Sequence, residues 1–144
     1  MDPTRFLPHA PPLRLLTRVD EVAGDTVRAV GCIPPDAPGA GPRWAPAILG
    51  LELGAQSTAM IGAAALAAET VPAPRIGYLV SIRSASFERP SLPVGVELAV
   101  EARRVGGAGG LELFEVAVTV PGDPEPAVRA VVGTMLTDRT VTGR

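Results

Sequence analysis

The sequence contains no lysine and no asparagine, so all thirteen of its basic residues are arginine. A lysine Schiff base and the lysine of a P-loop are therefore excluded as sources of chemistry. Histidine and cysteine occur once each, as His9 and Cys32. This excludes an internal disulfide and a zinc site built from cysteine and histidine, and we expect no metal and no other cofactor.

Aromatic residues are also scarce, with three Phe, one Trp and one Tyr, and the net charge is only -2. Such a composition favours neither a base-stacking platform nor a basic nucleic-acid footprint. Residues 1–14 hold four prolines and no apolar core typical of a signal peptide. A lone cysteine fits a reducing compartment, so we expect a cytoplasmic protein in which Cys32 is a buried, inert thiol.

What the sequence does contain is enough apolar residues for one core. Its 144 residues are 47% hydrophobic and 19% charged, which predicts a single domain over residues 1–144. The longest apolar run, residues 45–68, is long enough to cross a bilayer as a helix. However, Glu52, Gln56 and the many Ala and Gly residues favour a buried helix in a protein without a membrane span.

We expect this helix to begin near Pro46 and to be ended by the VPAPR segment at residues 71–75. It is apolar on nearly every face, which is typical of a helix buried on most sides. Gly50 and Gly54 lie on one face and allow another backbone to approach closely. Because one sheet cannot cover every face, we expect the remaining side to meet a second copy or a partner.

Extended segments are predicted on both sides of the helix. Before it, residues 13–33 are expected to form two strands with a turn at residues 23–25, followed by a proline-rich loop at residues 34–44. After it, strands are predicted over residues 76–89, 94–105, 111–120 and 127–137, with turns at GGAGG (106–110) and PGDPEP (121–126). We therefore predict an α+β fold, an antiparallel sheet of five to six strands wrapped around one long central helix.

Three stretches resemble the hotdog-fold 3-hydroxyacyl-ACP dehydratases of fatty-acid synthesis. LPHAPPLRLLTRV (residues 7–19) is similar to the opening Leu-Pro-His and the following strand of that family. ILGLELGAQ (residues 48–56) resembles its central helix, in which a catalytic carboxylate is followed four residues later by glutamine. ASFERPSLPVG (residues 85–95) resembles the strand and the Pro-Gly turn after the helix. The resemblance spans nearly the whole chain and implies the hotdog fold and dehydration of carrier-bound 3-hydroxyacyl thioesters.

The loop before the helix departs from this family. Its members carry a Gly-His-Phe-Pro-Gly type loop whose histidine is the catalytic base, whereas the corresponding loop here, PPDAPGAGPRWAP, has no histidine. In this respect the chain is closer to divergent dehydratase-like subunits of bacterial aryl-polyene and polyketide clusters, some of which act as paired unlike subunits. The resemblance implies a homodimer, or a heterodimer whose second hotdog dehydratase supplies the missing histidine.

Glu52 is the candidate catalytic acid, because a carboxyl group among aliphatic side chains favours its protonated form. Gln56 lies one turn further along the helix and is expected to orient Glu52 or a water, or to make a purely structural hydrogen bond. His9 is the one residue that ordinarily titrates near neutral pH. It is interpreted either as a replacement base or as a structural residue at the mouth of the channel.

Substrate contacts are expected where the loop enters the helix. The backbone amides of Gly39 and Gly41, and the helix N-terminus near Trp44, can hold a thioester oxygen. Gly-Pro loops are also common without any such role.

Acyl carrier proteins are acidic, so we expect arginines to dock one. Arg83 and Arg89 are the first candidates, Arg103 and Arg104 are the second, and solvated surface arginines are the competing interpretation. Two other functions stay open. A hotdog thioesterase also places a carboxylate on the central helix but releases the free acid, and a non-catalytic acyl-binding or scaffold partner would explain the missing histidine.

Overall fold

The computed structural model describes residues 2–5, 7, 10–67 and 75–138, and for residues 65–67, 75–78 and 136–138 it describes the backbone alone. Within these residues a 3₁₀ turn at Pro3–Arg5 precedes the strands and the helix. In chain order the elements are β1 (Leu16–Ala23), β2 (Thr26–Gly31), β3 (Trp44–Pro46), α1 (Leu49–Ala67), β4 (Arg75–Phe87), β5 (Ser91–Pro93), β6 (Leu98–Ala108), β7 (Leu111–Thr119) and β8 (Val128–Asp138).

Six strands form one antiparallel sheet in the order β1-β2-β6-β7-β8-β4, and the short strands β3 and β5 pair separately. Hairpins join β1 to β2, β6 to β7 and β7 to β8, while β2 and β6 pair although α1 lies between them in sequence. β4, the strand that follows the helix, adds to β8 at the end of the sheet. The predicted α+β class and the sheet of five to six antiparallel strands are confirmed.

The central helix lies close against this sheet, in contact with β1, β2, β6, β7 and β8. A Cβ atom added to Gly50 would lie 2.8 Å from Cγ2 of Val128, and one added to Gly54 would lie 2.8 Å from Cγ2 of Val116. Both distances are well below a normal carbon–carbon contact. The two glycines therefore allow the helix to lie close to the sheet, but the atoms that approach them are side-chain atoms and not those of another backbone, which their spacing predicts.

Alternation along the strands separates a core face from a solvent face. On β6, Leu98 and Val100 are buried, while Glu101 and Arg103 are exposed. The buried positions of β7 and β8 are Phe114, Val116, Val118, Val128, Ala130, Val132, Gly133 and Thr134. The outer face carries cross-strand ion pairs, such as Arg103 with the directly opposite Glu115 at 2.8 Å. The core thus lies between the sheet and the helix, and the outer face of β6 and β7 carries charged side chains.

The helix begins later than predicted. It starts at Leu49 rather than near Pro46, because residues 44–46 are extended, form β3 and pair with Ser91–Pro93 of β5. The proline-rich segment therefore ends in a short strand. Most of the VPAPR segment, at residues 71–74, lies outside the described residues. In the part of the chain that is described, no helix has the length and apolarity needed to cross a membrane.

Two boundaries of β6 also differ from expectation. Val96 lies in the bend before the strand, which begins at Leu98. The GGAGG segment is not simply a hairpin connection, because Gly106 and Gly107 continue β6 and pair with β7. Only Gly109 and Gly110 form the turn, with φ values of 63° and 86°. Glycine is permitted in a strand when its backbone partners are present, and this hairpin supplies them.

Candidate active site

Gln56 is the most completely bonded polar side chain of the helix. It is 2% exposed. Its Oε1 accepts hydrogen bonds from the backbone N–H groups of Leu15, at 2.9 Å, and Leu16, at 3.1 Å. Its Nε2 donates to the carbonyl oxygen of Leu13, at 2.7 Å, and to Oε1 of Glu52, at 3.0 Å. Two donors and two acceptor positions are all that a primary amide offers, so this side chain is saturated.

This bonding fixes the orientation of the amide, because only one placement of its oxygen and nitrogen satisfies two N–H donors and two oxygen acceptors. Gln56 consequently ties the chain that leads into β1 to the middle of α1. It also presents one N–H to Glu52. Gln56 therefore makes both kinds of contact that the sequence suggests, namely structural hydrogen bonds to the chain before β1 and a hydrogen bond to Glu52.

Glu52 lies in the first turn of α1 and is partly buried. The N–H of Gln56 donates a direct hydrogen bond to its Oε1 at 3.0 Å. The side chain is therefore held in one place by its own helix and by a residue that is itself immobilised. Pre-organisation of this kind is what a proton-transferring carboxyl group requires.

The helix has one face that the sheet leaves partly open. Glu52, Ala55, Ala59 and Gly62 follow each other at intervals of three and four residues, and all four are partly exposed. The residues between them, from Leu53 to Ile61, are buried. Glu52 thus lies on the side of α1 away from the sheet, which is the side where the sequence predicts a second copy or a partner.

Several backbone N–H groups at the entry to the helix, which were expected to bind a substrate oxygen, already donate hydrogen bonds within the chain. The N–H of Gly41 donates to the carbonyl oxygen of Trp44 at 2.8 Å, so this amide is already engaged within the loop. Gly39 has a φ of 75°, a conformation that favours glycine, and it is exposed. The first amides of α1 are engaged as well, since Gly50 and Leu51 donate to the carbonyl oxygens of the residues three positions earlier.

Trp44 lies in β3, directly before the helix, and is 51% exposed. The guanidinium group of Arg89 lies 5.6 Å from the centroid of its ring, within the range of a cation–π interaction. Arg89 also forms an ion pair with Asp123 at 3.2 Å. The structure therefore brings Trp44, predicted to bind substrate, into contact with Arg89, predicted to bind the carrier protein. The sequence does not predict this contact.

The other candidate carrier residues lie on the sheet. Arg103 and Arg104 of β6 are ion-paired with Glu115, at 2.8 Å, and Glu112, at 3.3 Å, which agrees with their interpretation as surface arginines. Arg83 lies on β4 and is exposed.

The predictions for the single histidine and the single cysteine have different outcomes. His9 lies outside the described residues, and its role stays a prediction. Cys32 was predicted to be buried, but it is partly exposed because it follows the last residue of β2, where the strand leaves the sheet. Among the described residues, no three His, Cys, Asp or Glu side chains cluster in a way that could hold a metal ion.

A sheet wrapped around a single central helix is the architecture of the hotdog fold, and comparison with known proteins agrees with this class. Residues 1–140 match the family described as ApeP-like, ApeP dehydratase. The chain belongs to this dehydratase family. None of the curated proteins matches the sequence.

Solved structures establish the fold in the same way. The chain is similar to the dehydratase heterocomplex ApeI:P from Xenorhabdus doucetiae, with a TM-score of 0.82 and 18% identity over 100% of this chain and 99% of that one. It is also similar to a hypothetical thioesterase with coenzyme A from Streptococcus pneumoniae, with a TM-score of 0.61 and 10% identity over 83% of this chain and 84% of that one. A thioesterase from Haemophilus influenzae matches with a TM-score of 0.59 and 12% identity over 85% and 78%.

Proposed function

We propose that this chain is the acid-bearing subunit of a dehydratase that removes water from 3-hydroxyacyl thioesters held on an acyl carrier protein. The observation that carries the proposal is the position of Glu52. Its carboxyl group is oriented by Gln56, and it lies on the side of the central helix that the sheet leaves open. Membership of a dehydratase family supplies the reaction class in which such a carboxyl group acts.

In the proposed reaction a base removes a proton from C2, and Glu52 gives its proton to the hydroxyl group on C3. The C3–O bond then breaks, the electron pair from the C2–H bond forms the C2–C3 double bond, and water leaves. The reaction converts Glu52 to a carboxylate, and the N–H that Gln56 donates to Oε1 stabilises the charge that develops there. The proton held by the base returns to Glu52 before the next cycle.

The base is the part that this chain does not provide at the usual position, because residues 34–46 contain no histidine. We propose that an unlike hotdog subunit supplies it, so that one composite site forms between Glu52 of this chain and a histidine of the partner. The similar structure from Xenorhabdus doucetiae is described as a heterocomplex, which supports a partnership of unlike subunits. A homodimer in which His9 acts as the base is the alternative arrangement.

The substrate is proposed to arrive on an acidic acyl carrier protein, with Arg89 as its first contact beside the loop that precedes the helix. This proposal rests on the position of Arg89 against the exposed Trp44. Its ion pair with Asp123 is partly solvent-exposed, and such pairs are weak enough for an incoming carboxylate to replace.

The test is to mix the purified chain with a hotdog dehydratase that carries the loop histidine, sought first among the proteins encoded beside it, and to follow enoyl thioester formation on a 3-hydroxyacyl carrier. We expect turnover in the mixture and a loss of about 100-fold or more with Glu52→Gln, since general acid catalysis contributes about 10²–10⁴-fold. Gln at position 52 keeps an acceptor for the N–H of Gln56, so the helix is undisturbed. The matched control is Glu101→Gln on the exposed outer face of β6, which should leave the rate unchanged.

Other outcomes contradict the proposal in distinct ways. Turnover that is insensitive to Glu52→Gln would remove Glu52 from the chemistry. Release of free acid in place of the enoyl product would show a thioesterase. Binding of the acyl carrier without turnover, both alone and with the partner, would show a non-catalytic subunit.

A further inference from the structure

We propose that Leu13 is a specificity-determining residue of the dehydratase site, and that its side chain contacts the carbon atoms of the acyl chain beyond C3. The inference rests on the proposed function for the reaction, and it adds the part of the substrate that a residue before β1 recognises. Its own support is the hydrogen bonding of Leu13, its exposure, and its position relative to Glu52 and to the proposed carrier contact.

The backbone of Leu13 lies close to the carboxyl group of Glu52. One nitrogen atom, Nε2 of Gln56, donates a hydrogen bond to each of them, at 2.7 Å to the carbonyl oxygen of Leu13 and at 3.0 Å to Oε1 of Glu52. The two hydrogen atoms of a primary amide point in different directions, so the two acceptor oxygens are about 5 Å apart. A residue of the segment before β1 is therefore a neighbour of the proposed catalytic carboxyl group.

The segment that carries Leu13 is held in place. The carbonyl oxygen of Leu13 accepts from Gln56, and its N–H donates to the carbonyl oxygen of Ala10 at 2.9 Å. Leu15 and Leu16 follow with side chains in the core, 0% and 1% exposed, and their N–H groups donate to Gln56. The side chain of Leu13 nevertheless remains 40% exposed. A fixed backbone that presents an uncovered apolar side chain is suited to discriminate between ligands, because it loses little conformational freedom on binding.

The direction in which the substrate enters decides which part of it lies at Leu13. The proposed carrier contact, Arg89, stacks on Trp44 directly before the helix, and Glu52 lies in the first turn of α1. Gln56 lies one turn further along the helix, and Leu13 is bonded there. A substrate that enters beside Arg89 and places its C3 at Glu52 therefore extends its remaining carbon atoms toward Gln56 and Leu13.

The side chains that follow Glu52 on the open face of α1 are small and apolar. Ala55 and Ala59 are both partly exposed, and each has a single side-chain carbon. The amide of Gln56 has no hydrogen-bonding capacity left for a polar group on the substrate. A polar substituent placed beside Leu13 would lose water without gaining a partner from this amide, whereas a methylene group gains apolar contact. This arrangement favours an unsubstituted hydrocarbon chain beyond C3.

The first experiment measures kcat/KM of this chain, mixed with a hotdog dehydratase that carries the loop histidine, on carriers loaded with 3-hydroxybutyryl, 3-hydroxyhexanoyl and 3-hydroxyoctanoyl chains. Leu13→Ala should lower kcat/KM about tenfold for the octanoyl chain, since apolar contact worth one or two methylene groups is lost, and change it less than about twofold for the butyryl chain. Leu13→Met retains the apolar volume and should keep the wild-type preference. The matched control is Val105→Ala in the bulge of β6, where the side chain is 43% exposed, and it should change none of the three values.

The second experiment measures binding without turnover, with carriers loaded with butyryl, hexanoyl and octanoyl chains, which lack the 3-hydroxyl group and cannot be dehydrated. Leu13→Ala should raise the Kd about tenfold for the octanoyl carrier and leave that of the butyryl carrier unchanged. Equal losses for all chain lengths, or no loss for any, would overturn the proposal. So would weaker assembly of the two subunits with an unchanged chain-length preference. Because no proton is transferred in this measurement, its result is independent of whether Glu52 acts in dehydration.

Discussion

Among the individual residues, Gln56 connects the greatest number of features. Its amide joins the chain before β1 to the helix and holds the carboxyl group of Glu52. It is therefore a positioning residue in the proposed site, and it is also part of the structural core. The two roles are inseparable in the structure, because the same planar group makes all four hydrogen bonds.

We expect Gln56→Leu to lower the free energy of unfolding by about 3 kcal/mol, because it leaves the buried N–H groups of Leu15 and Leu16 without an acceptor. The measurement is urea denaturation of the purified chain. The control is Ser57→Ala on the next, equally buried residue, whose hydroxyl donates only to the carbonyl oxygen of Gly54. That substitution should cost no more than about 1 kcal/mol. Equal losses for the two variants would show that the Gln56 bonds contribute little.

The residues of the site were predictable to the extent that the information is local. Glu52 and Gln56 lie four residues apart on a helix, so their contact follows from helical geometry. Gln56 and Leu15 are 41 residues apart in sequence, and no periodicity or motif predicts their contact. The stacking of Arg89 on Trp44 is likewise produced by the β3–β5 pairing, which brings together one segment that precedes the helix in sequence and one that follows it.

Among the elements, the contact of α1 with the sheet depends on small residues. Gly50 and Gly54 face Val128 and Val116 at distances that leave no room for a methyl group. Gly62 belongs to the same helix, but a Cβ atom added there would meet no atom within 4 Å. Within this chain the helix therefore contains two kinds of glycine, namely Gly50 and Gly54, which are required for packing against the sheet, and Gly62, which packs against no other residue.

We expect Gly62→Ala to raise the free energy of unfolding by about 0.5–1 kcal/mol, because it removes the conformational freedom of glycine without a steric cost. Gly54→Ala gains the same propensity but forces its methyl group against the short side chain of Val116, and overpacking of this kind costs about 1–3 kcal/mol. Its net effect should be destabilising in thermal or urea denaturation. Stabilisation by both substitutions would show that the helix can move away from the sheet.

Strand and turn prediction succeeded where a pattern was confined to one element. Leu98 and Val100 alternate with exposed residues, and PGDPEP forms the turn before β8. It failed where pairing between elements overrides local preference. Gly106 and Gly107 are held in β6 by the facing strand β7, and Trp44–Pro46 is held as β3 by β5. Glycine and proline mark places where the chain can leave regular structure, but the presence of a partner strand decides whether it does.

For the molecule as a whole, the two ends of the sheet differ. β1 closes one end, and its residues Leu16 and Val19 are buried in the core. β4 forms the other end and has no buried side chain among those described between residues 79 and 87. This asymmetry leaves apolar side chains uncovered at the β4 end of the sheet.

Hydrogen exchange gives a direct measure of this asymmetry. When a histidine-carrying hotdog subunit is added, we expect slower exchange of backbone amides within residues 79–87 and unchanged exchange within β1, because β4 is an edge strand whose exposed apolar side chains this chain does not cover. β1 is the internal control, since it is also an edge strand. Slower exchange at β1 with no effect at β4 would place the partner at the opposite end.

The indole beside Arg89 has a practical consequence. Trp44 is the single tryptophan of the chain, it is half-exposed, and it lies just before the helix that carries Glu52. Tryptophan emission from this protein therefore originates at one known place, next to the loop where the proposed substrate would enter. The molecule contains its own optical reporter, and quenching by a dissolved ion such as iodide can follow occupancy there without any attached dye.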